Sequence, residues 1–338
     1  MRLNTNESPE PPPAGFLEEL SEAARRVDAH RYPDREATAL RGAIAASHGR
    51  QAAEVFAANG SNEVLQCLLL AYGGPGRRAL VFEPTYALHA HIARLTSTEV
   101  VAARRDRHFA VDAASACRLI ERSQPEVVFL CSPNNPTGNS ERRETIEAVA
   151  TVAEGLVVVD EAYAQFARWS AVDLLDRFPA VAVVRTFSKT WALAGLRLGY
   201  LLAHPEVVAA CQAVALPYHL DTVKQQAGVA ALGHVEEMHA RVARLVAERA
   251  RLEAGLSDLA VDTWPSEANF VLFRPRSRPA SEVWQGLADR SVLVRDVSGF
   301  PGLDGCLRVT VGTAEENGRF LAALSEVLAE GPSVGSGR

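Results

Sequence analysis

The sequence predicts an α/β protein: a large region with a mostly parallel central sheet flanked by helices, followed by a smaller α+β region. Three observations carry this expectation. Short apolar runs recur, several without a polar residue, as strands covered on both faces require. Stretches of helical periodicity separate them, the alternation that builds parallel sheets. Near residue 221 the alternation gives way to a long helical stretch and shorter strands.

The expected strands of the large region are Val55–Ala58, 79–82, Val127–Cys131, Leu156–Asp160, Val181–Thr186 and Gly199–Ala203. Helical patterns lie at Ser61–Tyr72, 112–123, 141–154 and 205–215. Right-handed crossovers then gather the loops at the carboxyl ends of the strands along one edge, where such sheets bind ligands. Beyond this comes a helical run over 221–256, with Glu236, Glu237, Arg241, Arg244, Glu248 and Arg249 at its outer positions. Strands follow at 269–274, 292–295 and 307–311, with helices near 280–289 and 314–329. Residues 30–220 are expected as one domain, and 1–29 with 221–330 as a second. The end of the chain, 331–338, reads as a disordered tail.

Composition narrows the function classes. An apolar fraction of 48% with 22% charged residues is ordinary for a soluble globular chain. The net charge of −6 argues against a nucleic-acid partner, which selects a basic excess. No apolar run is long enough to span a bilayer and no signal-peptide core is present, so a cytoplasmic protein without membrane association is expected. The five cysteines show neither zinc-like pairing nor a disulfide framework, and no metal is expected.

The strand-end loops carry the chemistry. Lys189 lies between a strand-like run and a Gly-bounded turn, with Ser188 beside it and Arg197 eight residues on. A reactive lysine needs to shed its proton near an anion-binding pocket, and Ser188 with Arg197 suits a phosphate. A lysine bonded to a phosphorylated aldehyde, for which pyridoxal phosphate is the fit, satisfies that pattern; a solvated surface charge is the alternative.

Asn59-Gly-Ser-Asn-Glu63 opens a helix, either as an anion cradle at Ser61 and Asn62 or as a plain cap. Tyr86, in Pro84-Thr-Tyr86, stacks on a flat ring or simply packs. In Ser132-Pro-Asn-Asn-Pro-Thr-Gly138 two prolines fix the backbone so that an Asn side chain projects from the strand end. Asp160 ends the most apolar strand, where a carboxylate needs a partner such as a protonated ring nitrogen, or caps the next helix. Arg295 and Arg308 interrupt apolar strand patterns, which signals a bound carboxylate or phosphate, or a buried salt bridge. His89 and His91 read as surface histidines on a helix, with contact to a substrate as the other reading.

These motifs, in this order, resemble fold-type I pyridoxal-phosphate-dependent aminotransferases: Asn-Gly-Ser-Asn-Glu, Pro-Thr-Tyr, Ser-Pro-Asn-Asn-Pro-Thr-Gly, Val-Asp-Glu-Ala-Tyr, Arg-Thr-Phe-Ser-Lys, Ala-Gly-Leu-Arg-Leu-Gly-Tyr and Leu-Arg-Val-Thr-Val-Gly-Thr. Leu3-Asn-Thr-Asn-Glu7, Arg31-Tyr-Pro-Asp34 and Ser266-Glu-Ala-Asn-Phe270 make the chain most similar to the histidinol-phosphate aminotransferase family, over about residues 3–325.

The resemblance implies specific roles. Lys189 bonds the cofactor aldehyde and carries a proton between the substrate α-carbon and the cofactor. Asp160 pairs with the pyridine nitrogen and keeps it protonated. Asn135 and Tyr163 hydrogen-bond the ring hydroxyl, and Tyr86 stacks on the ring. Ser188, Arg197 and the amides near Ser61 and Asn62 hold the phosphate. Tyr32 reaches the phosphate of a neighbouring subunit, which implies a homodimer with shared sites. Arg308 takes the glutamate carboxylate or, with Arg295, a substrate phosphate, and Asn6 belongs to the substrate site.

The partner molecules implied are glutamate or 2-oxoglutarate and a phosphorylated or aromatic amine, in histidine biosynthesis. The sequence departs from the family's pattern in a short segment before Leu-Asn-Thr-Asn-Glu, in Ser8 where many members have an aromatic, and in Asn62 where Asp is commoner. Other readings are an aminotransferase for aromatic or other amino acids, a decarboxylase or oxidase on the same cofactor, and a non-catalytic sensor. A degenerate sensor is expected to lose Lys189 or Asp160, and both are present.

Overall fold

A computed structural model describes residues 1–330; the expected tail at 331–338 lies outside the described residues. Seven strands form the first sheet: β1 (Val55–Ala58), β2 (Arg78–Glu83), β3 (Glu99–Arg104), β4 (Val127–Cys131), β5 (Leu156–Asp160), β6 (Val181–Thr186) and β7 (Gly199–Ala203). Their order is β1-β7-β6-β5-β4-β2-β3. Only β7 runs against its neighbours; the rest point one way. β1, β4, β5, β6 and β7 are buried at every position, which explains why they are apolar up to Asp160 at the end of β5 and Arg185 and Thr186 at the end of β6. The edge strand β3 is half-exposed, and its mixed sequence hid it from the apolar-run criterion.

A second, four-stranded sheet of order β10-β11-β9-β8 is antiparallel throughout. It comprises β8 (Val261–Thr263), β9 (Phe270–Pro275), β10 (Arg295–Asp296) and β11 (Leu307–Thr310). The apolar run at 292–295 contributes mainly buried side chains, Val292 and Val294; only Arg295 and Asp296 join the ladder. Arg2 bridges to Leu293, and the Thr310 amide donates to the Leu3 carbonyl, so the first residues cover this sheet's edge.

The helices, in chain order, are α1 (Ala14–Arg25), α2 (Thr38–Ser47), α3 (Ser61–Tyr72), α4 (Leu88–Leu95), α5 (Ala113–Ser123), α6 (Arg143–Val152), α7 (Pro205–Val214), α8 (Thr222–Leu232), α9 (Val235–Ser257), α10 (Ala280–Asp289) and α11 (Ala314–Ala329). Local chemistry sets their starts. Asp112 caps α5 by accepting from the Ser115 amide, and Asp221 caps α8 by accepting from the Lys224 amide. Pro205 opens α7, and Thr313 with Glu316 forms a capping box on α11.

The helical run expected over 221–256 is two helices, broken at Gly233 and His234. Two arginines expected on its outer face are buried instead. Arg241 donates to the carbonyls of Thr190 and Pro11, and Arg249 to that of Ala268. Each long stem lies in the core while the guanidinium satisfies loop carbonyls, which periodicity alone does not reveal.

β7 passes close to the first turn of α3. A Cβ at Gly199 would lie 2.3 Å from the Ser61 nitrogen and 2.5 Å from the Gly60 carbonyl carbon. Gly199→Ala is therefore expected to cost about 1–3 kcal/mol in urea unfolding, because backbone rather than a flexible side chain must shift. An unchanged unfolding midpoint would contradict this close approach.

Candidate active site

The carboxyl ends of the parallel strands open on a cavity of about 390 Å³. From the seven-stranded sheet it receives Asn62, Tyr86, Asn135, Asp160, Tyr163 and Lys189. Ser61, Ser188 and Arg197 also line it, and Arg295 and Arg308 reach it from the second sheet, with Asn6 on the N-terminal segment. Thus all but one of the residues to which the family resemblance assigns a role meet in one space. Tyr32 is the exception: it is 80% exposed and stacks on Tyr218, with ring centroids 4.5 Å apart.

Asp160 ends β5 and is only 2% exposed. One carboxylate oxygen lies 2.9 Å from His89 Nε2, and the other accepts from the Ala162 amide at 3.1 Å. His89 is fully buried, stacked on Phe129 at 4.8 Å and edge-on to Tyr86. The expectation of a surface histidine is thereby corrected; His91 alone is exposed. The signal was available, since His89 shares a helical face with Ile92 and Ala93 at i+3 and i+4, both buried.

Between the two prolines the amides divide the work. Asn134 is buried and ties the loop together, accepting from Thr85 and donating to the Pro84 carbonyl and Thr137. Asn135 faces the cavity and accepts from Arg308. Tyr86 donates to Asn62 Oδ1 at 3.1 Å. The Tyr163 hydroxyl accepts from Asn6 Nδ2 at 3.0 Å, and burial raises its ionisation to about 12 against the opposing pull of Arg308.

Lys189 follows β6 in a tight turn, and its amine donates to the carbonyls of Asn6 at 2.9 Å and Thr5 at 3.3 Å. Burial brings the amine down to about 8, and the positive charge of Arg308 pushes the same way. Arg197 donates to Ser188 Oγ at 3.1 Å, and Ser188 Oγ meets Thr186 Oγ1 at 3.0 Å. A Cβ at Gly60 would fall 2.7 Å from the Arg197 guanidinium, so that cation lies against the start of α3. The first amides of a helix have no carbonyl a turn earlier, and beside a guanidinium they suit a phosphate.

On the second sheet, Arg308 of β11 is 8% exposed and pairs in register with Arg295 of β10. Arg308 donates to Asn135 and the Asn4 carbonyl, its Nε is unpartnered, and burial lowers it to about 10. Among the described residues neither arginine forms a salt bridge. Of the two readings open for them, an anion from outside the chain is the one this geometry suits.

These donors fit pyridoxal phosphate: a phosphate cradle, a buried carboxylate, an aromatic face, two hydroxyl-directed groups and an amine of lowered basicity surround one cavity. Two measurements test the electrostatics. Arg308→Gln removes a positive charge near Lys189, so the lysine's titration midpoint, followed by pH-dependent acylation, should rise from about 8. An unchanged midpoint would remove Arg308 as a cause. His89→Leu strands the Asp160 carboxylate, with an expected loss of about 1–3 kcal/mol in urea unfolding, whereas His91→Leu should leave stability unaltered.

Comparison with known proteins agrees with the geometry. The family model "Aminotransferase class I and II" matches residues 1–324. A histidinol-phosphate aminotransferase of Thermobifida fusca is 51% identical over 329 residues, 95% of this chain and 88% of that protein. One of Nocardia farcinica is 49% identical, over 97% of this chain and 86% of its own. The crystal structure of histidinol-phosphate aminotransferase from Sinorhizobium meliloti in complex with pyridoxal-5′-phosphate superposes with a TM-score of 0.89 at 25% identity, covering 97% of this chain and 90% of that one. The chain belongs to the class I and II aminotransferases, enzymes that use pyridoxal phosphate to transfer amino groups.

Proposed function

We propose that this enzyme is a histidinol-phosphate aminotransferase, moving an amino group between glutamate and imidazole-acetol phosphate to give L-histidinol phosphate and 2-oxoglutarate. The observation that carries the reading is the presence of two separate cationic groups lining one cavity, Arg197 with Ser188 on the first sheet's side and the Arg295–Arg308 pair on the second sheet. The first suits the cofactor phosphate. The second suits, in turn, the carboxylate of glutamate and the phosphate of the second amine, so one cationic wall serves two unlike substrates. Near-full-length relatives of that name support the choice.

Pyridoxal phosphate, when bound, supplies the aldehyde carbon that carries the amino group and a ring that takes up the electron pair released at the substrate α-carbon. The rest falls to this chain's residues. Asp160 would hold the pyridine nitrogen and keep its proton in place. Asn135 and Tyr163 would hold the ring hydroxyl, and Tyr86 would offer its aromatic face to the ring. Lys189 is the covalent anchor and, once free, the base that moves a proton at the substrate α-carbon; an amine near 8 is close enough to neutrality to be partly unprotonated. Arg308, nearly dry, binds a substrate anion strongly because water does not compete. Tyr32, exposed and absent from the cavity lining, is assigned to the phosphate of a second subunit, which makes the working enzyme a homodimer.

A panel of amino donors with 2-oxoglutarate tests the substrate assignment: histidinol phosphate should exceed phenylalanine in kcat/KM, and preference for phenylalanine would overturn it. Lys189→Ala should lower kcat by about 10²–10⁴-fold or more. Arg308→Ala should cost about 2–5 kcal/mol in kcat/KM for glutamate with little change in cofactor affinity. Equal loss of both would contradict the anion-seat assignment.

A further inference from the structure

The segment Leu3–Glu7 crosses the cavity wall and is pinned along its length. The Leu3 amide donates to the Leu293 carbonyl at 2.9 Å, and the Leu3 carbonyl accepts from the Thr310 amide at 2.8 Å. The Asn4 carbonyl accepts from Arg308 at 3.2 Å. Asn6 forms the centre of the strap. It is 2% exposed and holds a left-handed backbone, with φ of 55°, a conformation that asparagine tolerates better than most residues.

Every polar group of Asn6 is used. Its amide donates to Thr310 Oγ1 at 3.0 Å, and its Oδ1 lies 3.1 Å from the same hydroxyl. Its Nδ2 donates to the Tyr163 hydroxyl at 3.0 Å. Its carbonyl accepts from Lys189 Nζ at 2.9 Å and from Asn269 Nδ2 at 3.2 Å. The Nδ2 amide group keeps a second N–H, so these contacts leave the residue free to meet a substrate in the cavity it lines as well. The residue also joins three parts: the second sheet through Thr310 and Asn269, the phenol of Tyr163, and the amine of Lys189.

We propose that Asn6 is a positioning residue that locks the N-terminal strap onto Thr310 and Tyr163, so that the Thr5 and Asn6 carbonyls form the resting seat of the Lys189 amine whenever that amine is not covalently engaged. A lysine on a flexible stem needs such a seat, because it must leave the reacting carbon and return to it within each turnover. Two carbonyls hold the amine through its N–H groups and keep it among the cavity groups rather than in bulk water. The strap also touches Arg308 through the Asn4 carbonyl, so an anion arriving at Arg308 meets the same segment that holds the amine. This proposal rests on Lys189 as the reactive amine.

The sequence makes the test clean, because the chain contains only two lysines, Lys189 and Lys224. Lys224 pairs with Asp221 and donates to Asn59, shares no hydrogen-bond partner with the strap, and serves as an internal standard. Full-length protein stripped of cofactor is exposed to brief reductive methylation with formaldehyde, and the ratio of modification at Lys189 to that at Lys224 is read by peptide mass spectrometry. Asn6→Ala and Thr310→Val, which cut the same tether from opposite sides, should each raise the ratio by about fivefold to tenfold, the local opening expected when one buried hydrogen bond is lost.

The double variant should add little to either single, since both act on one contact. Asn6→Gly, which keeps the left-handed backbone at ease, should give the same rise, separating the tether from backbone strain. In each variant the Lys189 titration midpoint should climb from about 8 toward the ordinary lysine range as burial is relieved. Ratios within about twofold of wild type in both single variants overturn the proposal, as does a rise at both lysines in step, which signals general loosening. The measurement reads where the amine rests and not what it does, so failure here leaves the catalytic reading of Lys189, tested by turnover of Lys189→Ala, standing.

Discussion

Crowding of like charge is the constraint on which this site depends. Lys189, Arg197 and Arg308 converge on one cavity with Arg295 at its rim, and Asp160 is the only carboxylate among the residues that line it. Burial first, and neighbouring cations second, pull both Lys189 and Arg308 below their ordinary basicity. Such an arrangement is costly in an empty protein and favourable once anions enter. The cavity therefore suits ligands that bring negative charge.

The sheet makes that crowding possible. Because β4, β5 and β6 are parallel and adjacent, their carboxyl ends deliver Asn135, Asp160 and Lys189 to one edge without further folding. Strand burial on both faces keeps these ends in register, so the spacing of the three side chains follows from the ladder. Asp160 then needs a neutral or donating neighbour in an apolar surround, and α4 supplies His89 across Phe129. Closure of the cavity from the other side falls to the second sheet and the N-terminal strap, whose carbonyls neutralise N–H groups of Lys189 and Arg308 without adding charge.

Most of the sheet was legible because strands buried on both faces are largely apolar, as β1, β4, β5, β6 and β7 are up to the polar carboxyl ends of β5 and β6. Elements with a wet face were harder to read. β3 mixes Glu99 and Arg104 with alanine and valine, and α1, α2 and α4 carry no strong start signal: none has a side-chain cap. Arginine was the residue type most often misplaced, since Arg241 and Arg249 bury their stems while their polar ends reach backbone carbonyls.

By itself the sequence determined the layered α/β class, the strand-end motifs and the chemical types gathered there, because these depend on local patterning and on residues close together along the chain. Tertiary structure decided which of them meet and how each is used. It buried His89 against Asp160, separated Asn134 from Asn135 by role, left Tyr32 exposed and outside the cavity lining, and laid Asn6 against Tyr163 and Thr310. The partners of Asn6 lie 157 and 304 residues away. No local rule encodes a contact at that separation; it exists only when two sheets and a terminal strap have packed around the same space.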